Sequence, residues 1–124
     1  MKILILGANG LLGGACYRLM TQVPNLEVFG SVRSKLVEPS QQLIGSTDVL
    51  DTKRLEQVFM ESKPQVVINC TSLSKSTMKA GRPIEFIELF SMMPHRLAEL
   101  CVRHSARLVH ISSDGVFSGK KGNY

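Results

Sequence analysis

The first thirteen residues, MKILILGANGLLG, combine a buried-strand pattern with three regularly spaced glycines. Lys2 to Leu6 form an almost continuous apolar run, which is typical of a parallel strand covered on both faces. Gly7, Gly10 and Gly13 follow, and apolar residues at helical spacing come after them. A strand, a glycine turn and a helix in this order form the context that a dinucleotide-binding fingerprint requires. The sequence therefore predicts a βα unit with a nucleotide site at its turn.

Each glycine of this turn has a physical task. Gly7 permits the tight turn, Gly10 lets the backbone approach a diphosphate, and Gly13 lets the helix pack closely on the sheet. The helix N-terminus offers N–H groups and a partial positive charge to that diphosphate. A tight turn that binds no ligand is the alternative. The turn residues predicted to bind a cofactor are Gly7, Asn9, Gly10, Leu11, Leu12 and Gly13.

The rest of the chain alternates between strand and helix patterns. Further strands are predicted over residues 26–32, 42–44, 65–70 and 107–112. One helix is predicted after Asp51, which can cap it, and a long one from Pro83, kinked at Pro94. Right-handed crossovers then give an α/β fold with a doubly wound parallel sheet in the order 3-2-1-4-5. Since 124 residues bury one core of modest size, a single domain over 1–124 is expected.

Composition excludes several classes of partner. The net charge of +5 is spread along the chain, whereas nucleic-acid binders cluster basic residues with aromatic ones. No apolar run approaches the roughly 18 to 20 residues of a membrane span. Cys16, Cys70 and Cys101 lack metal-ligand spacing and are interpreted as reduced core thiols of a cytoplasmic protein. We therefore expect no nucleic acid, no membrane and no metal.

Four segments, MKILILGANGLLGG, TDVLD, VVINC and VHISSDGVFSG, together resemble the extended short-chain dehydrogenase/reductases. Within them, VHISSDGVFSGKKGNY and the helix PHRLAELC are most similar to the dTDP-4-dehydrorhamnose reductase group, which reduces 4-keto sugars on nucleotide diphosphates. The resemblance covers all 124 residues, but such enzymes are more than twice as long. It implies a Rossmann-like cofactor domain, truncated from a longer enzyme, with a nucleotide sugar as substrate. A homodimer is a further hypothesis.

The residues at the end of the second strand determine which nicotinamide cofactor is bound. An acidic side chain there binds the ribose diol of NAD, whereas a basic side chain binds the 2′-phosphate of NADP. Here the sequence reads GSVRSK, with no acid until Glu38. Arg33 offers a planar fork that matches phosphate, and Ser31 adds a hydroxyl. NADP(H) is therefore favoured over NAD(H). An exposed loop arginine without a ligand is the alternative.

The resemblance assigns two more stretches to the cofactor. Asp48 matches an acid whose carboxylate accepts from the adenine amino group, while the backbone N–H of Val49 meets the ring. Alternatively, Asp48 only turns the loop. Cys70, Thr71 and Ser72 follow the fourth strand, where the family's chain passes under the nicotinamide ribose. Cys70 is interpreted as a structural thiol because no activating base lies beside it in sequence.

The resemblance also implies that catalytic residues lie at the end of the fifth strand. Ser112 is expected at the cofactor, and Ser113 matches the family's catalytic Ser or Thr. The Ser113 hydroxyl would donate to a carbonyl oxygen that becomes an alkoxide as hydride arrives. A strand-end serine bonded to the backbone is the alternative. Phe90 stands where the family has Asn, and we interpret it as core packing.

The family's proton donor, a Tyr followed four residues later by Lys, is missing from this sequence. The first hypothesis is therefore the cofactor-binding part of an NADP-dependent sugar-nucleotide reductase, inactive alone. The second is a non-enzymatic nucleotide-binding or regulatory module. The third is a protein-interaction domain of the same fold that binds no nucleotide. A Tyr–Lys pair further along the encoding gene would favour the enzyme.

Overall fold

The computed structural model describes residues 1–37, 42–73, 83–112, 120 and 122. Within these residues a single sheet contains β1 (Lys2–Leu6), β2 (Glu27–Ser31), β3 (Leu43–Ile44), β4 (Val66–Asn69) and β5 (Arg107–His110). The strands lie in the order β3-β2-β1-β4-β5, and all neighbouring pairs are parallel. The predicted fold class and strand order are confirmed.

The connecting segments are mostly helical. They are α1 (Leu11–Met20), α2 (Thr52–Ser62), α3 (Pro83–Phe86), a π-helical segment (Ile87–Met92) and α4 (Met93–Arg103). Asp51 caps α2 as predicted, because its carboxylate accepts from the backbone N–H groups of Lys53 and Arg54 at 3.0 and 3.1 Å. No helix within the described ranges is long and apolar enough to cross a membrane.

The sheet is covered on both faces. On one face α2 and α4 pack against Leu4, Leu6 and Val67, and on the other face α1 packs against Ile5 and Ile68. The side chains of β1 alternate between these two clusters, which explains why the strand reads as an apolar run. Both layers therefore depend on β1.

Helix α1 approaches the sheet through its glycines. Gly13 and Gly14 are its buried residues, whereas Leu11 is 97% exposed. A Cβ atom placed on Gly13 would lie 2.2 Å from the Gly7 carbonyl oxygen. The close approach predicted for Gly13 is therefore a contact between backbones.

The long helix after Pro83 is interrupted rather than continuous. In the π-helical segment, the backbone N–H of Met93 donates to the Glu88 carbonyl, five residues earlier. Pro94 has no N–H to offer the Phe90 carbonyl, so the ordinary hydrogen-bond ladder fails at this turn. The structure thus has a π turn just before Pro94, and the predicted kink itself stays a prediction.

Replacing Gly13 with Ala should destabilise the fold by about 1 to 3 kcal/mol, because the new methyl group overlaps the Gly7 carbonyl. Leu19→Ala, an exposed change in the same helix, is the matched control and should shift stability by less than about 0.5 kcal/mol. Urea unfolding followed by circular dichroism measures both. Equal midpoints for the two variants would contradict the packing argument.

Candidate functional site

A cavity of about 890 Å³ opens at the carboxyl ends of the parallel strands, where α/β sheets of this kind bind ligands. Of the predicted cofactor residues, only Gly13 is absent from its wall, because Gly13 is buried behind the turn. The predicted residues that line the cavity are Gly7, Asn9, Gly10, Leu11, Leu12, Ser31, Arg33, Asp48, Val49, Cys70, Thr71, Ser72 and Ser112. Sequence positions far apart are thus brought to one edge of the sheet.

The glycine turn forms the floor of the cavity. Gly7 has a left-handed φ of 79°, and a Cβ there would lie 3.0 Å from the Cys70 carbonyl oxygen. The N–H groups of Gly7 and Ala8 both donate to the Ser31 carbonyl, at 3.1 and 2.9 Å. Gly10 is the N-cap of α1 and has no side chain to cover the helix end. No capping side chain therefore covers the first N–H groups of the helix.

Polar groups gather at the β2 end of the cavity. Ser31 is buried at the strand end, and the Arg33 side chain is exposed at the rim. The Asp48 carboxylate accepts from the Leu50 N–H at 3.0 Å, so Asp48 does shape a turn, and it also lines the cavity. The two interpretations of Asp48 are therefore compatible.

Asn69, at the end of β4, organises the next part of the wall. Its side chain is fully enclosed, with 2% of the residue exposed. The side-chain oxygen accepts from the N–H and the hydroxyl of Thr71, at 3.1 and 2.7 Å. Its amide nitrogen lies 2.9 Å from Nδ1 of His110 on β5. Since the amide nitrogen can only donate, Nδ1 is the acceptor of this hydrogen bond.

Two neighbouring cysteines, Cys16 and Cys70, are half-buried here, and Cys70 itself lines the cavity. Burial, and then the neighbouring Cys16 thiol, raises the pKa of Cys70 to about 11. Cys70 is therefore a protonated thiol at neutral pH. This agrees with its interpretation as a structural residue rather than a nucleophile. Of the three cysteines predicted to lie in the core, Cys101 is buried, whereas Cys16 and Cys70 are only half-buried beside the cavity.

The interpretation of Phe90 as core packing is wrong. Phe90 is 41% exposed and lines the cavity, while its neighbour Leu89 occupies the core. Adjacent helical residues point in different directions, so only one of the two can enter the core at this turn.

One predicted residue cannot be compared with the structure, and the cavity wall also contains residues that were not predicted. The predicted catalytic residue, Ser113, lies outside the described residues. Sequence reasoning also missed several wall residues, which are Thr47, Leu50, Leu73, Glu85, Leu89 and Ile111. For Thr47, Leu50, Leu73 and Ile111 the available signal was a position in the segment that follows a strand, whereas Glu85 and Leu89 lie on helical segments and gave no such signal. In the described part of the chain, no group of three or more His, Cys, Asp or Glu side chains is arranged to hold a metal.

A doubly wound sheet with a glycine turn below a cavity at its carboxyl edge defines a Rossmann-like α/β protein. Comparison with known families identifies it further. The family model described as "RmlD substrate binding domain" matches residues 1–124, so the chain belongs to that family.

Individual relatives are considerably longer. The chain is 32% identical to methionine adenosyltransferase 2 subunit beta from Xenopus tropicalis, covering 99% of this chain and 35% of the relative. A structure described as a hypothetical dTDP-4-dehydrorhamnose reductase from Sulfolobus tokodaii is 26% identical, with a TM-score of 0.78, over 100% of this chain and 43% of that one. The structure of a dTDP-4-dehydrorhamnose reductase from Bacillus anthracis in complex with NADP is 22% identical, with a TM-score of 0.73, over 98% of this chain and 40% of that one. The chain thus spans less than half of each.

Replacing Asn69 with Leu should destabilise the fold by about 1 to 3 kcal/mol, because it removes the hydrogen bonds that the buried amide makes with half-buried Thr71 and with His110. Gln65→Leu is the matched control at the opposite end of β4. Its side chain accepts from the Lys2 N–H at 2.9 Å but is exposed, so water replaces the lost bond. Urea unfolding midpoints should separate the two variants, and equal losses would contradict the role of Asn69.

Proposed function

We propose that the chain is the cofactor-binding part of an NADP-dependent reductase that acts on a nucleotide-linked 4-keto sugar. The observation that carries this proposal is the grouping of the glycine turn, Arg33, Asp48 and Thr71 around one cavity. The names of two structural relatives, both described as dTDP-4-dehydrorhamnose reductases, support the substrate class. The NADP found in the Bacillus anthracis structure supports the cofactor.

The floor of the cavity fits a dinucleotide diphosphate. Gly7 and Gly10 leave the backbone bare, and the N-terminus of α1 supplies N–H groups with a partial positive charge. The hydrogen bonds from Gly7 and Ala8 to the Ser31 carbonyl hold this floor to β2. A diphosphate would therefore meet donors whose positions are fixed by the sheet.

The β2 end of the cavity fits the adenosine half of the phosphorylated cofactor. Arg33 presents a guanidinium at the rim, and residues 31–37 contain no acid that would repel a 2′-phosphate. The Ser31 hydroxyl is a second donor at the strand end. Asp48, exposed on the neighbouring loop, can accept from the adenine amino group.

The chemistry is assigned to the β5 end. The bound cofactor supplies hydride, and Ser112 lines the cavity at this end. The following residue, Ser113, is proposed to donate its hydroxyl proton in a hydrogen bond to the substrate carbonyl oxygen as negative charge develops there. No Tyr–Lys pair is present in the 124 residues to deliver the proton. We therefore propose that this stretch binds cofactor without turning over substrate.

A regulatory nucleotide-binding module is the second candidate. The observation that favours it is the 32% identity to a protein named as the beta subunit of methionine adenosyltransferase 2. Such a module would use the same cavity but would need no Tyr–Lys pair. A longer product of the gene that binds the dinucleotide and never oxidises it would favour this candidate.

Replacing Arg33 with Ala should weaken NADPH binding roughly tenfold to a hundredfold and leave NADH binding unchanged, because only NADPH carries the 2′-phosphate. Isothermal titration calorimetry of both cofactors measures the difference. Lys35→Ala removes an exposed positive charge two residues away, outside the cavity wall, and is the matched control. Loss of affinity in both variants alike, or equal wild-type affinities for the two cofactors, would contradict the assignment.

The 124-residue chain should show no oxidation of NADPH with nucleotide-linked 4-keto sugars, since general acid catalysis worth about 10² to 10⁴ in rate is missing. A longer product of the gene should be active, and Ser113→Ala in that product should lower kcat by roughly 10² to 10³. Ser105→Ala, an exposed serine after α4, should leave kcat unchanged. NADPH absorbance follows the reaction. Rapid turnover by the short chain would overturn the assignment of the catalytic groups.

A further inference from the structure

The cavity wall contains an aromatic side chain that the assignments above leave unused. Phe90 lies on the π-helical segment, and its ring centroid is 5.4 Å from that of Phe86, with the planes inclined at 42°. Single exposed apolar side chains are common on protein surfaces and need no explanation. Phe90 differs from these because it faces a concave site.

The position of Phe90 is fixed by its neighbours. Leu89 and Met93 are buried in the core on either side of it, and the Phe86 ring supports it from the preceding turn. The π turn between Glu88 and Met93 belongs to the same segment, and π turns recur at functional sites. The ring is thus presented to the cavity by an anchored segment.

The two ends of the cavity differ in chemistry. Ser31 and Arg33 make the β2 end polar and positively charged, whereas the far wall contains the large apolar side chains of Leu73, Phe90 and Ile111 beside the polar Glu85 and Ser112. From β2 to β5 the sheet crosses three strand spacings, or roughly 14 Å. A dinucleotide whose 2′-phosphate lies at Arg33 would therefore extend its nicotinamide towards the wall that contains Phe90.

We propose that Phe90, supported by Phe86, contacts the nicotinamide ring of the bound dinucleotide and strengthens binding of that half of the cofactor. This inference rests on the proposed function. The reduced nicotinamide is uncharged and planar, so an aromatic side chain can pack against it in an offset or tilted arrangement. Phe90 has no polar side-chain atom, so its contribution is an apolar contact rather than a hydrogen bond.

Two probes separate the halves of the cofactor. NADPH contains both halves, whereas adenosine 2′,5′-bisphosphate has the adenine and the 2′-phosphate without the nicotinamide. Phe90→Ala should weaken NADPH binding roughly twofold to tenfold, the scale of one aromatic contact, and leave the bisphosphate affinity unchanged. The change in NADPH fluorescence on binding should also be smaller in this variant.

Met92→Ala is the matched control, since Met92 lies on the same π-helical segment with 42% exposure but outside the cavity wall. It should alter neither affinity. Unchanged NADPH affinity in Phe90→Ala, or an equal loss for both probes, would overturn the inference. If the wild-type chain binds the bisphosphate as tightly as it binds NADPH, the inference about Phe90 is overturned, but the proposed adenosine site is not. Binding of neither probe would instead refute the proposed function, and this inference with it.

Discussion

The contact between the Gly7 turn and the Gly13 face of α1 determines how the helix end, β2 and the end of β4 meet at the floor of the cavity. The Gly7 carbonyl occupies the space that a side chain on Gly13 would need. The N–H of Gly7 is bonded to β2, and its own missing side chain leaves room for the Cys70 backbone beyond β4. One turn thus fixes the spacing of α1 from β1, β2 and β4 at once. Because these contacts are between backbones, they have little freedom to adjust, and the helix N-terminus is held above the sheet edge.

The fold was predictable because few arrangements satisfy the pattern. An apolar run that must be covered on both faces, alternation of strands with helices, and right-handed crossovers leave the doubly wound sheet as the natural solution. The same topology explains why much of the cavity wall could be predicted. Arg33, Asp48 and Thr71 all follow strands, and parallel strands bring such residues to one edge. The Asp51 cap was predictable from local chemistry alone.

The errors and omissions arose where local patterns leave a choice. Leu89 and Phe90 are adjacent and apolar, so periodicity does not decide which enters the core; the π turn before Pro94 further shifts the register. For Asn69, the sequence places only one hydrogen-bond partner, Thr71, close by along the chain. Another partner, His110, is 41 residues away and becomes a neighbour only through the pairing of β4 with β5. Such long-range polar contacts leave no periodic trace.

The construction of the cavity is consistent with the similarity of this chain to proteins with different names, a dTDP-4-dehydrorhamnose reductase and a methionine adenosyltransferase subunit beta. The features proposed to bind the cofactor are the bare backbone of the glycine turn, a helix end and a few strand-end side chains, and folding of these elements assembles them together. A proton donor is a separate requirement that none of these contacts supplies. Cofactor binding and reduction can therefore be gained or lost independently on this scaffold. It follows that activity must be argued from the groups proposed for catalysis after β5, because the sheet and its glycine turn are compatible with either function.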